Sequence, residues 1–115
     1  MATTHTEAYD EQVRNAQRDE LVTLLGDGPL VILGDFNAEP DAVGMPDGFL
    51  DAWQEVGGET CCQAADLRNE QSQLTQRIDY VWVRGVRVVR CKVVGVERED
   101  LWPSDHAGVL AELVS

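Results

Sequence analysis

The stretch Leu30-Val31-Ile32-Leu33-Gly34-Asp35-Phe36-Asn37 decides how the rest of the chain is read. Four apolar residues in succession predict a short strand buried on both faces. Gly34 frees the backbone at its end. Asp35 and Asn37 stand two apart, so in extended chain their side chains share a face. A carboxylate and a carboxamide are thereby delivered to the end of a sheet, where α/β proteins hold their ligands. The same residues also read as an Asx-type turn, since Gly, Asp and Asn are common turn formers.

Upstream, Glu7 to Leu25 reads as a helix, with Val13, Ala16, Leu21 and Leu24 in one stripe and no Pro or Gly between. Thr4 or Thr6 is its expected cap, and Gly26-Asp27-Gly28-Pro29 ends it. Residues 2–5 read as the tail of a strand, which makes a β-α-β unit. Downstream, residues 38–48 read as loop, 49–56 as a short helix and 59–76 as a long polar surface loop. Ile78 to Val83 is a strand by β-branched and aromatic content. Val86 to Val94 partly alternates apolar with basic and predicts a strand with one wet face. Trp102 to His106 is an exposed loop, and Ala107 to Val114 a last strand. Trp53 and Trp82 are expected in the core. A helical crossover early and an antiparallel run late place the chain in the α/β or α+β class.

At 115 residues this is one domain or less. No run of 18 apolar residues exists, so no membrane span is expected, and the first residues lack signal-peptide features, which points to the cytoplasm. The formal net charge of −12 disfavours charge-driven coating of nucleic acid. It leaves room for an acidic phosphoesterase, because a bound divalent metal reverses the local field. Three cysteines without CxxC spacing, Cys61, Cys62 and Cys91, read as structural free thiols, and adjacent Cys61-Cys62 is a poor zinc signal because no partner ligand pair follows.

Ionisable residues recur beside strand ends. They are His5, Asp35 with Asn37, Asp79 within an apolar strand, and Asp105-His106 before the last strand. An ionised Asp79 between Ile78 and Tyr80 is costly unless paired, and His106 is its candidate partner. Asp105 suits a hard cation.

Together these residues resemble the endonuclease/exonuclease/phosphatase (DNase I-like) superfamily. Gly34-Asp35-Phe36-Asn37, Ile78-Asp79-Tyr80 and Ser104-Asp105-His106 are similar to three of its motifs in the same order, and Thr4-His5 to a fourth. The resemblance covers residues 1–115 as the C-terminal half of such a domain. It implies an α+β fold of the α/β sandwich type: half of a four-layer α/β/β/α sandwich, one mixed sheet with helices on one face. It implies a Mg²⁺-dependent phosphoesterase acting on a phosphodiester or phosphomonoester, with Mn²⁺ as the alternative ion. By the resemblance, Asp35 activates or orients water and Asn37 helps hold it, both near the metal. Asp79 orients His106, which stabilises charge on the phosphate. Asp105 ligates Mg²⁺, and His5 binds phosphate or sits near the leaving group.

The family's first half, with its principal metal-ligand Glu, has no counterpart here. The apolar face of a single sheet would then lack its mate. The expected partners are therefore a second copy in a homodimer or a complementing N-terminal half, besides a phosphoester substrate. Nucleic acid is a weaker candidate substrate on charge. The competing reading is a non-catalytic half-domain acting as a binding or assembly module.

Overall fold

The computed structural model describes residues 1–115. Its elements are β1 (Ala2–His5), α1 (Glu11–Leu25), β2 (Leu30–Asp35), α2 (Pro40–Val43), β3 (Leu50–Asp51), β4 (Asp79–Arg84), β5 (Arg87–Val94) and β6 (Gly108–Val114). Strand β2 is where the apolar run predicts it. It pairs parallel with β1 and antiparallel with β4, inside a mixed sheet of order β1-β2-β4-β3.

Strand alternation divides the core in two. Leu30 and Ile32 of β2, with Tyr80 and Trp82 of β4, face Leu21 and Leu25 of α1. Val31, Leu33, Val81 and Val83 point the other way. That second face is covered by the chain itself: β5 and β6 form a separate antiparallel sheet whose Val88, Cys91, Val109, Ala111 and Leu113 pack against it. The sandwich-type α+β class with a mixed sheet and its helix on one face is as expected. The bare apolar face, which was the physical reason for expecting a homodimer, is not there. What stays exposed on the hairpin's outer side is smaller, Val89, Leu110 and Val114.

The partial alternation of β5 has a local cause. A register shift between Val88 and Arg90 inserts one extra residue, so Val88 and Cys91 both face inward although they are three apart. Burial, followed by the charge of Asp51, pushes the Cys91 thiol above its ordinary value.

Other departures follow from tertiary contacts. The helix begins at Glu11, capped by Asp10, whose carboxylate accepts from the N–H groups of Gln12 and Val13. Thr6 is not a cap; it is buried, and its hydroxyl donates to the Phe36 carbonyl at 2.7 Å. Of the predicted stripe, Val13 and Leu24 face solvent, at 42% and 76% exposure. Arg18 instead lies partly inward and donates to the Val43 carbonyl at 2.8 Å. Residues 49–56 do not form a helix. Leu50 and Asp51 pair with Val83 and Trp82 at the sheet edge, and Asp51 holds Arg77 in an ion pair at 2.7 Å. These long-range contacts override a local helical pattern. Within the predicted loop 38–48, Pro40 starts one turn of helix. Trp82 is core, Trp53 is half-buried, and Trp102 is buried in its loop with its indole N–H donating to the Asn69 carbonyl. Cys91 is a free thiol, and the side chains of the adjacent Cys61 and Cys62 lie against each other.

Gly34 sits where β1 passes closest to β2, and the Thr4 carbonyl occupies the space a Cβ would fill. Gly34→Ala is expected to cost about 1–3 kcal/mol by overpacking. A thermal melt followed by circular dichroism checks this; an unchanged midpoint contradicts the close approach.

Candidate active site

The sheet register assembles the site. His5 is paired with Asp35, and Asp35 with Asp79, so three ionisable residues stand in one row across β1, β2 and β4. Residues in register on adjacent strands point to the same face. Counting from the core residues, that face is the one the β5–β6 hairpin covers. His106 comes from the segment entering β6 and reaches into the row from that side.

The contacts are specific. His106 Nδ1–H donates to Asp79 Oδ2 at 2.7 Å. His106 Nε2 lies 3.9 Å from Asp35 Oδ2, and His5 Nε2 lies 3.4 Å from the same oxygen. Burial by itself lowers the pKa of His106. The hydrogen bond to Asp79 and the charges of Asp79, Asp35 and Asp105 outweigh it, and the imidazole is held above its usual value.

Asn37 is fixed in an unusual backbone conformation, with φ 47°. Its N–H donates to Asp35 Oδ1 at 2.8 Å, and its amide Nδ2 donates to the Thr6 carbonyl at 2.6 Å. The Asx-turn reading and the site reading are therefore both realised in the same residues. Asp105 lies apart from this group. It is exposed, its hydroxyl neighbour is Ser104, and its backbone carbonyl accepts from Gln63 N–H.

One segment had no signal in the sequence. Thr60, fully buried in the polar loop, accepts through Oγ1 from the N–H groups of both Ile78 and Asp79, and through its carbonyl from Ala107 N–H. It ties the start of β4 to the segment carrying His106. Its neighbours Cys61 and Cys62 bring their sulfurs to within 3.6 and 4.0 Å of His106 Nε2. Only the fold reveals these partners, because Thr60 is forty-odd residues from His106 in the chain.

Three of the downstream basic side chains are engaged away from the row. Arg77 is paired with Asp51, Arg84 donates to the Gly28 carbonyl, and Arg90 pairs with Glu112. The largest surface hollow is lined by Gly48, Leu50, Val83, Gly85, Val86 and Arg87 among others, at the far end of β4. It has no convergent acid and base, so the site is assigned by its chemistry and not by concavity.

The donors suit a hard cation in part. Ligand atoms of Asp35, Asp79 and His106 lie within 4.8 Å of one another, and Asp79 is at the same time engaged by His106. Mg²⁺ is commonly held by one or two carboxylates, with water and substrate phosphate completing its shell.

The fold is that of the DNase I-like α/β sandwich proteins. A D. rerio TDP2 structure complexed with single-strand DNA product superimposes with a TM-score of 0.76 at 19% identity, over 98% of this chain and 55% of that one. A functionally unknown conserved protein from Enterococcus faecalis gives 0.75 at 24% identity, over 97% and 48%. A mannosyl-6-phosphatase from Bacteroides thetaiotaomicron gives 0.68 at 23% identity, over 98% and 50%. The chain thus spans about half the length of these structures. No curated protein matches it. The Endonuclease/Exonuclease/phosphatase family model matches residues 3–106, and the chain belongs to that family.

Because the folded pKa of His106 is raised, its protonation stabilises the fold fully below the ordinary histidine value. That contribution is lost as pH rises through the raised value. In Asp79→Asn the His106 midpoint is expected to move down. Proton NMR titration of the two imidazoles, with His5 identified through His5→Gln, gives the readout. A midpoint indifferent to Asp79→Asn would show that the hydrogen bond does not set it.

Proposed function

We propose that this chain is the catalytic second half of a Mg²⁺-dependent phosphoesterase that hydrolyses a phosphodiester or phosphomonoester. The observation that carries the reading is the His106 ring, pinned through Nδ1 by Asp79 with Nε2 turned toward Asp35. Family membership over residues 3–106 supports the same reaction class.

In this reading Asp35 holds and deprotonates the attacking water, and Asn37 fixes its direction. His106 in its cationic form, held above its usual pKa, stabilises negative charge gathering on the phosphoryl oxygens, with Asp79 keeping the ring in one tautomer. His5 lies on the other side of Asp35 Oδ2, largely exposed, where it contacts the phosphate or the leaving group. Asp35 and Asn37 would hold the metal, with Asp105 reaching it through water. When bound, Mg²⁺ neutralises charge and polarises the phosphoryl oxygen.

The chain spans about half of the solved relatives. We take the remaining donors to come from a complementing N-terminal half. The unpaired long edge of β6 and the exposed Leu110 and Val114 beside it offer a place for that half to dock. Substrate is better sought among small phosphoesters than long duplex DNA, given the net charge of −12. A non-catalytic module is the second reading, favoured by the small number of hard donors on this chain. Calorimetric titration with Mg²⁺ or Mn²⁺ separates the two, since a module binds neither at millimolar metal.

Hydrolysis of bis-p-nitrophenyl phosphate and p-nitrophenyl phosphate is the direct test, with Mg²⁺, using the chain alone and with a supplied family first half. The complemented protein is expected to turn over one of them. Asp35→Asn or His106→Ala should then lower the rate by about 10²–10⁴-fold. No turnover in the complemented protein, or full rate in His106→Ala, sinks the proposal.

A further inference from the structure

The segment Thr60-Cys61-Cys62-Gln63 takes no part in the chemistry above, yet it lines the site. Cys61 is bridged antiparallel to His106 on one side and to Gln76 on the other, so its position is set by backbone on both flanks. Directly opposed residues on such a bridge share a face. The Cys61 and Cys62 sulfurs lie 3.6 and 4.0 Å from His106 Nε2, and the three ligand atoms lie within 4.8 Å of one another.

The ring is already oriented as a metal ligand. Its Nδ1–H is occupied by Asp79, which leaves Nε2 as the free nitrogen of the neutral ring, facing the sulfurs. A carboxylate–imidazole–metal relay is the usual second-layer support of zinc histidines. Two sulfurs and one imidazole nitrogen form a soft set, suited to Zn²⁺ or Cd²⁺ and not to Mg²⁺. Around tetrahedral zinc, neighbouring sulfur and nitrogen ligands stand roughly 3.5 Å apart, close to the sulfur–nitrogen separations seen, and the two sulfurs, which touch each other, part to take the ion. In the reduced protein both Cys61 and Cys62 are available as thiolates. The sequence spacing that argues against zinc counts only ligands near in the chain; the fold supplies the third ligand from residue 106.

We propose that, in the reduced protein, Cys61, Cys62 and His106 bind one thiophilic divalent cation, Zn²⁺ or Cd²⁺, with a fourth coordination position open. The ion takes the His106 nitrogen that faces the phosphoester site, so binding and phosphate chemistry at His106 exclude each other. The binding itself does not depend on the hydrolase reading.

The test uses the full chain, reduced with a phosphine that is then removed, and titrated with Cd²⁺ at mildly alkaline pH. Thiolate-to-cadmium absorption in the near ultraviolet reports sulfur ligation, and competition with a chromogenic chelator gives affinity. One ion per chain with a thiolate band is expected. Cys62 is exposed, so Cys62→Ser is the variant least disturbing to the fold; it should bind at least tenfold more weakly, with an unchanged far-ultraviolet dichroism spectrum. Asp79→Asn should weaken binding about 10–100-fold while the thiolate band is kept. Cys91→Ser should bind as the parent does, and excess Mg²⁺ should not displace the ion. The proposal is overturned by absence of the band in the reduced parent, by full affinity in Cys62→Ser, by loss of the band in Cys91→Ser, or by displacement with Mg²⁺.

Discussion

The hydrogen bond between Asp79 Oδ2 and His106 Nδ1 joins the two sheets at the point where the chemistry lies. Asp79 opens β4 in the mixed sheet, and His106 leads into β6 of the hairpin sheet. A carboxylate at that place within an apolar strand needs a partner, since burying it alone is costly. The pairing also satisfies the histidine, whose ring is only partly exposed. Everything else at the site is arranged about this contact. Thr60 holds the backbone of Asp79 and the residue after His106, and Asp35 faces the nitrogen that Asp79 leaves free.

Much of this was legible in the chain because the signals are local. The apolar run of β2, the β-branched content of β4 and the helix of α1 each follow from short-range patterns. The pairing of Asp79 with His106 was legible for a different reason: an acid between Ile78 and Tyr80 calls for compensation, and the family resemblance pairs it with His106. What was not legible depended on long-range contact. The helical pattern at residues 49–56 yields to edge pairing with β4 and to the Asp51–Arg77 ion pair. Thr60 looks like any loop threonine until the segments it bridges are known. The extra residue in β5 cannot be read from alternation, which it disrupts.

The site also joins two ligand chemistries on one imidazole. Asp79 Oδ2 holds His106 Nδ1, while an oxygen of Asp35 and the sulfurs of Cys61 and Cys62 all lie near Nε2. Hard and soft cations sort by such donors. The single free nitrogen of the ring thus has both oxygen and sulfur donors within reach and can serve one chemistry at a time.

The row of residues 5, 35 and 79, closed by residue 106, draws on nearly the whole length of the chain. None of its members is a near neighbour in sequence of another. Only a stretch of about a hundred residues, from His5 to His106, holds the whole row, and loss of the β1 edge or of the segment entering β6 takes a member away. Such non-local closure is slow to form and cooperative once formed. The ionisable row is therefore a reporter of the assembled fold: its full set of contacts needs β1, β2, β4 and the segment entering β6 together.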